Sequence, residues 1–270
     1  MAVATMQTRV ATTQTRTADV RGGRVPSVPQ LHLPPAFEAD RGWPAVVLST
    51  PSGSLGDQVG ARYAGKLAGR GFIAVTVATP PACSHGRGAA HDGAHPATRV
   101  EALRRAVDHL VTLPFVDPER IAVLGICTGG SHAADAALAE RRFKVVATVA
   151  GLDVCPALIA NARGAPGRHL DRHSRTGARR LRGFGPMAGD EAFAHAPEPL
   201  MQPLMVIVGG GHGSARQYET GQALYGRARG PDRALVVISR AGHDDLQHRD
   251  DCIDPAIDRL APFLHFHLDP

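Results

Sequence analysis

The chain has 270 residues, 43% of them hydrophobic and 20% charged, which supplies apolar surface for one sizeable core and excludes bulk disorder. Its 30 glycines and 21 prolines fall short of the share that marks low-complexity or collagen-like chains. A formal net charge of +5 raises nucleic acid as a partner, but only Lys66 and Lys144 are lysines and aromatic residues are 4%. The arginine excess therefore reads as the codon bias of a GC-rich genome, and no aromatic platform exists for stacking bases.

No apolar run approaches the roughly 18 residues of a spanning helix, so no membrane association is expected. Residues 1–17 carry only Arg9 and Arg16 as charges and have no apolar signal core. They read as a flexible tail on a cytoplasmic protein. Cys83, Cys127, Cys155 and Cys252 show no C-x-x-C spacing and are too few to staple a chain of this length, so each reads as a free thiol.

From Trp43 onward, apolar runs of strand length alternate with segments of helical period, the pattern of a parallel sheet covered on both faces. Strands are expected at 45–50 (AVVLST) and 72–77 (FIAVTV), joined by a helix over 56–70 with Val59, Tyr63 and Leu67 four residues apart. Val100, Leu103, Val107, Leu110 and Val111 form the next helical stripe, which Pro114 and Asp117-Pro118 end. Further strands are expected at 121–124, 145–149, 204–208 and 234–239, with helices after Ser131, Ala215 and Pro255. No internal repeat is present. The alternation stops between Cys155 and Pro203, where a stretch rich in Gly, Arg, His and Pro reads as a cap over about 156–202.

The strand at 121–124 runs into Gly125-Ile126-Cys127-Thr128-Gly129-Gly130 and then into a helix expected near Ser131. A strand, a tight glycine turn and a helix make the geometry of a nucleophile elbow, with Gly125 and Gly129 clearing space for a strained central residue. Cys127 then stands at a helix N-terminus, whose partial positive charge is expected to favour the thiolate. The competing reading is a small buried cysteine in a glycine turn.

These residues resemble the α/β-hydrolase fold, a mostly parallel, doubly wound sheet with helices on both faces and a cap insertion. Within it they are similar to the dienelactone-hydrolase-like family, whose elbow is close to Gly-x-Cys-x-Gly-Gly. Leu31-His32-Leu33-Pro34, Thr50-Pro51-Ser52-Gly53, Asp117-Pro118-Glu119-Arg120 and Ala241-Gly242-His243 fall where that family's pattern places them. The resemblance implies one domain over 18–270, with Cys127 as nucleophile and His243, after the last strand, as base. It further implies an oxyanion hole made by the backbone N–H groups of Thr128 and Ser52. His243 is one of fourteen histidines, so a plain surface histidine is the alternative.

The family's triad acid is missing. Gly209-Gly210-Gly211-His212-Gly213 comes after the strand at 204–208, and no carboxylate appears before Glu219. Either Asp153, just past the strand at 145–149, takes that role, or Cys127 and His243 act as a dyad. Asp153 is preferred because the order Cys127, Asp153, His243 keeps nucleophile, acid and base in sequence; its other reading is a loop cap.

Arg163, Arg168, Arg172, Arg175, Arg179, Arg180 and Arg182 crowd the cap, where they read either as a site for an anionic or carrier-bound small-molecule substrate or as a solvated basic loop. His85, His91, Asp92 and His95 match no zinc spacing, so no metal is expected, and no cofactor is called for. Three functions fit these residues: a cysteine hydrolase of an ester, lactone or thioester; an acyltransferase or carboxylate-eliminating lyase on a biosynthetic intermediate; and an inactive binding protein that keeps the pocket. Oligomeric state is open at this level.

Overall fold

The computed structural model describes residues 30–51, 54–77, 96–151, 199–211 and 215–269. The tail expected over 1–17 and the cap expected over 156–202, apart from its last four residues, lie outside the described residues.

The elements in chain order are β1 (Gln30–His32), β2 (Trp43–Ser49), α1 (Ser54–Ala68), β3 (Ile73–Val77), α2 (Pro96–Leu110), β4 (Val116–Ile126) and α3 (Gly129–Ala139). They continue with β5 (Phe143–Val149), β6 (Leu204–Gly209), α4 (Ala215–Arg227), β7 (Arg233–Ile238), α5 (Asp245–His248) and α6 (Asp250–Leu268). The strands form one sheet in the order β1-β3-β2-β4-β5-β6-β7. Every neighbouring pair is parallel except β1 and β3.

The central strands are buried at nearly every position, which is why their sequences read as continuous apolar runs rather than alternations. Odd and even residues feed two cores. Val46, Leu48, Leu124 and Ala147 pack under α1 and α6, whereas Val47, Val123 and Val146 pack under α2 and α3.

Three expectations are corrected. β4 begins at Val116 rather than 121: Trp43 pairs with Val116 but Ala45 with Ile121, so 117–120 bulge out of the ladder. Pro118, which cannot donate to a ladder, sits in that bulge, and the Asp117 carboxylate accepts the Glu119 N–H at 3.0 Å. The last helix begins at Asp250, and both Pro255 and Pro262 lie inside it, so the proline that looked like a start signal is tolerated within the turn. β7 runs over Arg233–Ile238 rather than 234–239, and as an edge strand it is only partly buried.

α1 and α6 run side by side on one face. Outside, Arg62 and Lys66 reach Asp250, Lys66 reaches Asp254, and Arg70 reaches Asp258, a ladder that repeats every four residues on both helices. Inside, the fully buried Tyr63 donates its hydroxyl to the Leu246 carbonyl at 2.6 Å. Tyr63→Phe strands that buried carbonyl and is expected to cost about 1–3 kcal/mol in urea unfolding. Lys66→Ala, in the solvent-screened ladder, should cost clearly less; equal losses would show that the buried hydrogen bond carries no special weight.

Candidate active site

The elbow is a close crossing of backbones. A Cβ on Gly129 would lie 2.1 Å from the Ser49 carbonyl oxygen of β2, and one on Gly125 would lie 2.4 Å from the Gly129 oxygen and 2.8 Å from Ala133. Only glycine fits at either place, so α3 starts at Gly129, two residues before the expected Ser131, directly over the ends of β2 and β4. Cys127 pays for the crossing with a left-handed backbone, φ 54, a conformation that costs a non-glycine residue about 1–2 kcal/mol. Two hydrogen bonds hold it: Cys127 N–H to Val149 O and Gly130 N–H to Cys127 O, each 3.0 Å.

His243 arrives from the far side of the sheet. After β7 the chain turns through Arg240 at φ 65, and several hydrogen bonds fix the segment from Ala241 to Gln247. Gly211 N–H donates to Ala241 O at 2.9 Å, Gly242 N–H to the Asp245 carboxylate at 2.8 Å, and the Gln247 amide to His243 O at 3.4 Å. Tyr63 grips Leu246 from α1. The outcome is a Cys127 Sγ to His243 Nε2 distance of 3.2 Å, within reach for proton transfer between thiol and imidazole.

The electrostatics reverse one expectation. Burial pushes the Cys127 thiol up from its ordinary value; the Thr128 backbone N–H pulls it down, and Asp244 adds a smaller upward push. The N-terminal amide of α3 does favour thiolate, but desolvation outweighs it. Burial also pushes His243 down, with Asp244 opposing weakly. Thiol up and imidazole down leave a neutral pair at rest rather than a thiolate–imidazolium pair.

Of the other expected site residues, Thr128 sits at the N-cap of α3, half-buried, in αR conformation. Ser52 and Asp153 lie outside the described residues, as do Cys83, Cys155, His85, His91, Asp92 and His95. The His243 Nδ1 atom is buried and has no hydrogen-bond partner among the described residues. At the described start of the loop after β6, Gly211 has no room for a side chain, and Gly210 is tight. A Cβ on Gly211 would lie 2.7 Å from Arg240 O, and one on Gly210 3.0 Å from Val237.

Two buried polar residues beside the elbow give no signal by residue type alone. Arg99, in the first turn of α2, and His132, in the first turn of α3, are each 5% exposed. Burial and the nearby Arg99 charge push His132 down to about 4, and burial pushes Arg99 down to about 10. Helical period is the clue that could have found them: Arg99 precedes Leu103 by four residues and His132 precedes Ala136 by four, on inward faces. Among the described residues, no group of three His, Cys, Asp or Glu could hold a metal, and no helix is long and apolar enough to cross a membrane.

No protein-family model matches the chain. It is 28% identical over 285 residues to an uncharacterized protein, YcjY, of Escherichia coli K12, covering 87% of this chain and 92% of that one. Among solved structures it superposes on a dienelactone hydrolase from Anabaena variabilis with a TM-score of 0.62 at 17% identity, covering 94% and 98% of the two chains. It also superposes on EstE1, a thermostable carboxylesterase from a metagenomic library, with a TM-score of 0.61 at 20% identity, covering 96% and 92%. The fold is that of the α/β-hydrolases, as the sequence resemblance implied.

The neutral pair has a measurable consequence. Iodoacetamide labelling of Cys127, followed by peptide mass spectrometry, should keep rising through and beyond the ordinary thiol value of 9.0. A labelling rate already level below about pH 7 would mean a preformed thiolate and would contradict the burial argument.

Proposed function

We propose that this chain is a hydrolase that cleaves an ester, lactone or thioester bond through Cys127, with His243 as general base. The observation that carries the reading is the 3.2 Å approach of Cys127 Sγ to His243 Nε2 on a left-handed elbow. Both residues lie at the carboxyl ends of their strands, the edge of an open α/β sheet where ligands bind.

The steps use the atoms present. His243 Nε2 takes the thiol proton as the sulfur attacks the substrate carbonyl carbon, and the carbonyl π electrons move onto oxygen. The Thr128 N–H, which already points at the sulfur, is the first donor to that oxyanion, and the Ser52 N–H is proposed as the second. Collapse of the intermediate breaks the bond from the carbonyl carbon to the leaving oxygen or sulfur, which takes the proton from His243 and departs as an alcohol or thiol, or, in a lactone, stays tethered as a hydroxyl when the ring opens. The acyl group remains on Cys127 as a thioester. Water deprotonated by His243 then releases the acid and restores the thiol. Each step uses only side chains and amides of this chain, so no cofactor is invoked.

Asp153 remains the proposed orienting acid, placed by chain order alone. A sulfur nucleophile tolerates its absence better than an oxygen one would, because a thiol is intrinsically more acidic than a hydroxyl. The acyltransferase or lyase reading draws on the Nδ1 of His243, which has no partner among the described residues. A base without an orienting carboxylate suits chemistry in which activating water is not required.

Hydrolysis of p-nitrophenyl acetate by the purified chain tests these readings together. Cys127→Ala and His243→Ala should each lower kcat/KM by on the order of 10³-fold or more. Stoichiometric acylation of Cys127 without turnover would move the assignment to acyl transfer or elimination. No acylation at all would leave a binding protein.

A further inference from the structure

The two edges of the sheet are built differently. β1 is three residues long, a short edge of the kind that discourages further pairing. β7 runs six residues, pairs only with β6 among the described residues, and has neither charge nor proline from Ala234 to Ile238. Val237, next to its last residue, is 45% exposed.

An open groove of about 500 Å³ runs along this edge, with residues 235–239 as one wall and Asp251, Cys252, Pro255 and Arg259 of α6 as the other. Alternate strand residues point to opposite faces, so five consecutive ones line a single groove only where the strand's backbone edge forms the wall. The α6 residues share one helical face. A groove with an unpaired backbone edge on one side fits an extended strand.

We infer that this strand is β7 of a second copy of the chain, added antiparallel across a two-fold axis. A two-fold interface must be self-complementary, and two separate charge pairs here are. Antiparallel pairing centred on Val236 sets Leu235 opposite the second copy's exposed Val237, and brings Asp232, just before the strand, to the same end of the ladder as the second copy's Arg240, in the turn just after it. A shift of two residues either way loses both matches. On α6, Pro255 lies midway between Asp251 and Arg259, so two antiparallel helices across the same axis set Asp251 against the second copy's Arg259.

All four of these charged residues are exposed. Asp251 pairs with Arg249 and bonds the Cys252 thiol within its own chain, and Arg259 has no ion-pair partner among the described residues. Arg233, which would otherwise add like charge near the strand end, is already engaged. Its guanidinium donates to Ala228 O at 2.8 Å and lies over the Tyr225 ring.

Sedimentation equilibrium of the full chain at micromolar concentration should give twice the 28.4 kDa monomer mass. Val237→Lys, which puts a charge on the apolar edge, should yield a monomer with an unchanged circular dichroism spectrum. Arg240→Asp should weaken the dimer at least about tenfold, and the exchange Asp232→Arg with Arg240→Asp should restore it. A wild-type monomer would overturn the inference. So would a dimer indifferent to Val237→Lys and to the charge exchange, since it would have formed through another surface.

Discussion

Everything at the site depends on one steric constraint, the contact between the first turn of α3 and the end of β2. Gly129 lies so close to the Ser49 carbonyl that a single methyl group would collide at 2.1 Å. Because the helix is pressed that far down, the residue joining β4 to α3 must turn through a left-handed conformation, and its side chain leaves the sheet upward. The strain of about 1–2 kcal/mol at Cys127 is small beside the burial on both faces of the sheet, so the fold imposes it without difficulty. The same constraint that strains the cysteine exposes its sulfur to the His243 ring.

A second glycine contact has a comparable role on the opposite side. Gly210 and Gly211, just past β6, are bonded edge to edge with the turn that delivers His243, and Gly211 has no room for a Cβ against Arg240. The family resemblance would put an acid here; this chain has backbone hydrogen bonds in its place. The exchange shows in the imidazole, whose Nδ1 meets no acceptor among the described residues. Among the described residues, position is thus secured through the contacts of the main chain, by Gly211, by Asp245 and by Tyr63 through Leu246.

The parts of the fold that the sequence reveals are those where one physical effect dominates. The central strands are buried on both faces, so hydrophobicity alone marks them. The elbow is legible because glycine is demanded at two fixed spacings around a nucleophilic residue. Competition between effects hides the rest. β1 is three residues long and antiparallel, too short for a period. At Pro255, a local start signal yields to the packing of Ile253, Ile257 and Leu260 against the sheet, and the helix begins five residues earlier. Arg99 and His132 look like surface residues by type and are inward only by helical spacing.

The charge state of Cys127 shows how magnitude decides where type does not. A helix N-terminus is worth about 0.3–1 kcal/mol to an anion, and at most about 2 in partly buried settings. Stripping water from a thiolate can move its pKa by several units when burial is complete. Sequence reveals the helix but not the depth of burial, so it favours the thiolate; the structure shows the cysteine 7% exposed and the balance reversed. In the proposed reaction, that reversal places the activation in the transition state. The proton leaves sulfur only as negative charge develops on a carbonyl oxygen facing the Thr128 amide, and interactions realised at that moment, not in the resting enzyme, are the ones that raise kcat.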